Sequence, residues 1–222
     1  MKSMLSEVYE RLHRAFGPQH WWPGESPFEV IVGAVLVQNT AWRNVERAIE
    51  NLRDAGLMEP KKLYATKENE LAELIRPAGY YQLKARRVRN LLRLIVDQYD
   101  GSLDAMLRTD LSVLREQLLG VSGIGPETAD AILLYALGLP TFVVDTYTHR
   151  VLARHGWIDY DADYHQIKDH FEAALPADAA LYNEYHALLV RLGKDYCRKT
   201  APKCEACPLA DLLPASGIVE PF

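Results

Sequence analysis

The chain has 222 residues, 49% of them hydrophobic and 25% charged, enough apolar material for a real core and too much for an intrinsically disordered chain. Its opening Met1 to Glu7 run meets acid too soon for a signal peptide, and no stretch approaches the roughly 18 apolar residues that cross a bilayer, so the expectation is a soluble, cytoplasmic protein without a membrane partner. The formal net charge of −5, taken alone, argues against a polyanionic partner. All three cysteines lie between 197 and 207, which suggests a local metal or cluster site more than a disulfide framework.

Helix signals dominate in chain order. Leu5, Val8, Leu12 and Phe16 recur at helical spacing, and Gly17-Pro18 closes that segment. Ser26 can cap the next helix, Pro27 suits its first position, and Glu29 completes a capping box. The run from Phe28 to Gln38 is apolar almost all round, which predicts a central helix broken at Asn39-Thr40. Val45, Ala48, Ile49 and Leu52 predict an amphipathic helix ending near Gly56. Leu71, Leu74 and Ile75 mark another, and Leu83 to Tyr99 a longer one. Shorter helices are predicted up to Leu119, then over 126–137, 146–155, 164–174 and 178–193. With no long alternating β-branched run, the fold class expected is all-α.

The stretch from Leu118 to Arg150 carries the most information. Gly123 and Gly125 flank Ile124, so the backbone can turn sharply and approach another backbone without a Cβ in the way. Pro126 then opens a helix whose amides point back at the turn, a geometry that holds phosphate or simply connects two helices. Beyond the apolar run Phe142-Val143-Val144, Asp145 stands at the start of the next helix. It suits a helix cap and equally a carboxylate held at a cleft, and the two roles are compatible.

The GIGPETA turn, the helix after it and the VVDTYTHRV segment together resemble the helix-hairpin-helix, Gly/Pro-rich-loop, aspartate superfamily of DNA glycosylases, the endonuclease III superfamily. GAVLVQNT at 33–40, RPAGYYQLKA at 76–85 and the cysteines extend the resemblance over nearly the whole chain. It implies two helical subdomains with a DNA cleft between them. One, over 28–138, is a bundle of about six helices carrying the hairpin. The other combines 1–27 with 139–222 and includes a cysteine loop at 194–213.

The resemblance further implies base excision repair on double-stranded DNA containing a damaged base, by a monomer of the prokaryotic cytoplasm and nucleoid. Asp145 is then the catalytic carboxylate, stabilising the cationic sugar as the flipped-out base leaves and orienting water. Bifunctional members carry a Schiff-base lysine just after the hairpin, where this chain has Glu127, and a carboxylate cannot form an imine. The implied activity is a monofunctional glycosylase, with Lys194 the one alternative amine. Glu127 in this setting is similar to the 3-methyladenine branch. Trp21, Trp22, Pro23 and Trp42 then form an aromatic base pocket suited to a cationic alkylpurine, unless the tryptophans are ordinary core residues.

Gln38 is the expected wedge into the gap left by the flipped base. Asn39, Gly123, Ile124, Gly125, Thr128, His149, Arg150 and Lys194 complete the expected DNA contacts. The alternatives are an endonuclease III-like glycosylase and lyase on oxidised pyrimidines or mismatched uracil and thymine, and a non-enzymatic helix-hairpin-helix DNA-binding module.

The spacing of Cys197, Cys204 and Cys207 resembles the first three ligands of the superfamily's 4Fe–4S loop, whose fourth cysteine position holds Leu213. An iron–sulfur cluster, complete or incomplete, is one reading. Zinc with Asp211 is another, and no metal a third. The local basic runs at Lys84, Arg86, Arg87 and Arg89 and at 194–203 answer the acidic total. They predict a modest, salt-sensitive DNA affinity carried by a narrow basic strip.

Overall fold

A computed structural model describes residues 3–219, and among these there is no strand. Twelve α-helices follow in chain order. The first four are α1 (Met4–Phe16), α2 (Pro27–Leu36), α3 (Trp42–Asp54) and α4 (Pro60–Ala65). Next come α5 (Glu68–Leu74), α6 (Tyr81–Tyr99), α7 (Leu103–Leu107) and α8 (Leu111–Leu119). The last four are α9 (Pro126–Ala131), α10 (Thr146–Arg154), α11 (Tyr164–Ala174) and α12 (Ala179–Asp195). The chain is all-α, as expected.

Two compact units divide it, one of Met1–Trp21 with Pro140–Phe222, the other of Trp22–Leu139. Residues 1–2 and 220–222 of the expected terminal subdomain lie outside the described residues.

The 22–139 unit holds α2 to α9, eight helices where about six were expected. The extra ones are short: α4, of six residues, leaves no periodic signature, and α7, of five, is one of the shorter helices expected before Leu119. Its centre is α2, buried from Val30 through Leu36, and each large side chain so removed from water contributes about 1.5–3 kcal/mol. The Ser26 hydroxyl accepts from the Glu29 amide at 3.2 Å. Glu29 itself turns to Arg53 at 2.9 Å rather than back to the cap, so only half of the expected capping box forms. The helix stops at Leu36, two residues early, and Asn39 follows in a left-handed conformation (φ 55°). The helix predicted over 126–137 is α-helical only to Ala131, then continues as a π-turn over Ile132–Ala136.

The other unit packs α1 against α12, where Tyr185 donates from its hydroxyl to the Leu5 carbonyl at 2.9 Å. Phe142 and Phe171 stack with centroids 3.8 Å apart and planes within 7°, with Tyr182 and Tyr185 edge-on around them. This aromatic core fixes the segment that ends at Asp145.

Candidate active site and nucleic-acid interface

Asp145 caps α10. Its Oδ1 accepts from the Thr148 amide at 2.7 Å and the Thr148 hydroxyl at 3.0 Å. One oxygen thus satisfies a helix end that would otherwise be orphaned. The other, Oδ2, faces the His186 Nε2 of α12 at 3.6 Å, with side chains 12% and 6% exposed respectively. Burial acts to raise the carboxyl's pKa, but His186 and the Thr148 donors outweigh it and hold the group below the usual carboxylate range. Asp145 thus fills the cap role that the sequence allowed, in a setting that also favours a charged carboxylate.

His186 was not legible as a site residue. It lies 41 positions downstream of Asp145 in an unremarkable helical run, and only the packing of α12 on α10 joins them. That packing depends on Gly193, where a Cβ would stand 2.4 Å from Tyr147 Cδ1. Trp21 sits edge-on to His186, with centroids 6.3 Å apart, and the Lys194 ammonium lies 5.9 Å from the Trp21 ring. Arg150 points inward, donating to the Cys197 carbonyl at 2.7 Å and the Gly193 carbonyl at 3.1 Å. His149 reaches the Tyr160 carbonyl at 2.9 Å.

In the 22–139 unit the two hairpin glycines do different work. Gly123 has φ 97°, and a Cβ there would meet Arg87 Cγ at 2.4 Å. Gly125 precedes α9 with nothing within 4 Å of where its Cβ would stand, and no side chain caps the helix start. Ile124 between them is buried core.

Gln38 is held by this turn, donating to the Gly123 carbonyl at 3.2 Å and the Thr128 hydroxyl at 2.9 Å while accepting from Arg87. Thr128 is accordingly buried behind Gln38, and Asn39 is exposed. Lys84 is 1% exposed and donates to the Leu36 and Ala78 carbonyls at 2.7 and 2.8 Å. Burial, with help from Arg87, lowers its pKa to about 8. Glu127, at the imine position, is solvent-exposed.

The expected pocket aromatics are divided between the units. Trp22 and Trp42 meet edge-on at 5.0 Å, and Tyr135, which the π-turn carries, lies 5.2 Å from Trp22. Gly33 of α2 makes room beneath, since a Cβ there would just touch Trp42 and Trp22 at 3.5 and 3.7 Å. Pro23 is exposed beside them. Trp21 belongs to the other unit. Tyr135 was missed because helical periodicity alone places no emphasis on it; π-turns cluster at functional sites, yet they leave no simple sequence mark.

The cysteine loop does not fit a four-thiolate cluster. Cys197, Cys204 and Cys207 are free, and Leu213 stands where a fourth thiolate would be. Both Asp211 oxygens accept from Arg11 at 2.7 Å, which removes the expected substitute ligand. Among the described residues no group of three metal-binding side chains is gathered. Arginine holds the loop instead. Arg154 donates to the Arg198 and Lys199 carbonyls at 2.6 and 3.1 Å and to Cys197 Sγ at 3.6 Å. Burial pushes the Cys207 thiol up, and Cys197 and Cys204 add to the effect.

A glycine hairpin turn opening one helix, and a largely buried aspartate capping another, define a base-excision repair protein of the helix-hairpin-helix kind. The HhH-GPD superfamily model for base excision DNA repair proteins matches residues 32–177, and the chain belongs to that superfamily. It is 49% identical over 210 residues, 94% of each chain, to a Methanocaldococcus jannaschii protein named as a DNA repair glycosylase. It is 29% identical over 204 residues to the Thermotoga maritima Endonuclease III, covering 92% of this chain and 89% of that one. The crystal structure of the H. pylori 3-methyladenine DNA glycosylase bound to 1,N6-ethenoadenine matches with a TM-score of 0.72 at 29% identity, covering 86% of this chain and 97% of that one.

Proposed function

We propose that the protein is a monofunctional DNA glycosylase that hydrolyses the N-glycosidic bond of a flipped, alkylated purine such as 3-methyladenine in double-stranded DNA. The observation that carries this is Asp145: a largely buried carboxylate whose pKa is held below the usual range, with Oδ1 fixed by helix capping and Oδ2 facing His186. The bond from sugar C1′ to the base breaks with its electron pair leaving on the base. Asp145 stabilises the cationic sugar and takes a proton from the water that bonds to C1′. A base methylated at N3 carries a positive charge beforehand and departs neutral, so no strong general acid is required. Glu127 cannot form an imine, which favours an abasic product over strand cleavage.

The Trp22, Trp42 and Tyr135 group supports the substrate class, because stacked rings favour a cationic base over a neutral one. So does the 3-methyladenine enzyme among the structural neighbours. Gln38 is the proposed wedge, released from the hairpin on binding DNA, and Lys194, Asn39 and the Gly125 turn are proposed backbone contacts. The protein is proposed to act as a monomer at the prokaryotic nucleoid, and no step passes through the cysteine loop. The Thermotoga maritima relative keeps one alternative in view, a glycosylase and lyase acting on oxidised pyrimidines or mismatched uracil and thymine. A DNA-binding module without chemistry would need Asp145 only as the cap of α10.

The test is base release from methylated duplex DNA. Free 3-methyladenine is expected from the wild type, with release abolished and DNA binding kept in Asp145→Asn. Release of oxidised pyrimidines alone, with covalent trapping by borohydride, would overturn both the substrate and the monofunctional reading.

A further inference from the structure

The site just proposed places its carboxylate where burial opposes charge, and one neighbour is positioned to reverse that. We propose that His186 is the positioning residue of this site: its imidazole faces the one Asp145 oxygen that helix capping leaves over, and so keeps that carboxylate both charged and aimed. The inference rests on the reading of Asp145 as the catalytic carboxylate. His186 approaches Oδ2 to 3.6 Å from α12, while Oδ1 is already engaged by Thr148. With both side chains largely excluded from water, the attraction between a protonated imidazole and a carboxylate is screened far less than at a surface. Trp21 backs the imidazole edge-on and fixes its ring.

Among the described residues, His186 and Thr148 are the groups that lower the Asp145 pKa, and the neighbouring charges are engaged elsewhere. From α10, Arg150 is committed to two carbonyls and His149 to a third. On α12, Lys194 lies over Trp21, and Glu184 accepts from the Gln19 amide. Arg191 is also on α12 and lies over Phe16. From α1, Tyr9 packs on Tyr185, with His13 stacked behind it. From α11, Lys168 pairs with Glu172. Remove the imidazole, and the burial that already opposes ionisation of Asp145 meets only the Thr148 donors.

The experiment is a carboxyl-carbon NMR titration of the full-length protein, with Asp145→Asn assigning the signal, alongside pH profiles of single-turnover base release. In wild type the Asp145 midpoint is expected below that of a free aspartate. In His186→Phe it should rise by about one pH unit or more, and the acidic limb of the release rate should move up with it. His186→Gln, which puts a neutral amide in place of the imidazole, should shift the midpoint in the same direction and serves if the Phe variant does not fold. A purely structural histidine would lower the melting temperature and leave the midpoint in place, and an unmoved midpoint in a folded variant overturns the proposal. Should the wild type release no base at all, the glycosylase reading fails, while the NMR midpoints still decide what His186 does to Asp145.

Discussion

The hairpin turn and the cysteine loop are equally conspicuous in the sequence, and the structure treats them differently. The hairpin keeps the backbone its two glycines call for: a positive-φ Gly123 under Arg87, and a Gly125 with open space where a Cβ would be. The cysteine loop has lost its fourth ligand position to Leu213 and is fastened by guanidinium groups of Arg154, Arg150 and Arg11. A loop that must only be held can exchange one fastening for another. A turn that must leave backbone amides bare to a ligand has no substitute for the missing Cβ.

The comparison breaks first at the hairpin's support. Arg115 of α8 grips the fully buried Asp130 of α9 at 2.7 and 3.0 Å. Asp130→Ala is expected to cost about 3–5 kcal/mol, read as a large fall in the denaturant midpoint. At the cysteine loop, Arg154→Met strands the Arg198 and Lys199 carbonyls and should cost about 2–4 kcal/mol. Replacing Cys197, Cys204 and Cys207 together by serine should cost less than about 1 kcal/mol and leave base release intact. The unaltered protein should lack the visible absorbance of an iron–sulfur cluster. If the triple variant proves the more damaging of the two, ligation rather than arginine holds the loop.

The finest division lies within the hairpin. Gly123→Ala, forced to positive φ against Arg87, is expected to lose about 1–3 kcal/mol. Gly125→Ala should stay within about 0.5 kcal/mol of wild type while weakening DNA binding several-fold in a titration. Equal stability losses at both glycines would remove the distinction between a turn that holds itself and a turn kept open.

Periodicity and capping chemistry made most of the fold legible. The helix predicted over 164–174 is α11 residue for residue, because Asp163 and Gln166 form a complete capping box. At Ser26 the same logic met a competitor, Arg53, that no local reading contains. Asp145 was legible because its cap role and its apolar approach are both local. His186 and Tyr135 were not: one joins the site through helix packing, the other through a π-turn. Trp21 and Trp22, adjacent in sequence, fall in different units, a division that no local pattern marks.

The basic strip that answers the acidic total is turned inward only in part: Arg86, Lys194, Arg198, Lys199 and Lys203 stay exposed. Lys84 is buried, Arg87 is bonded to Gln38, Arg89 donates to the Tyr64 and Thr66 carbonyls, and Arg150 and Arg154 serve the cysteine loop. Each phosphate neutralised by a free cation steepens the fall of log affinity with log salt by about 0.9. With four cations already serving the chain's own carbonyls and a fifth holding Gln38, the salt slope of DNA binding is expected to count only the exposed remainder, and to come out shallower than the total of lysines and arginines implies.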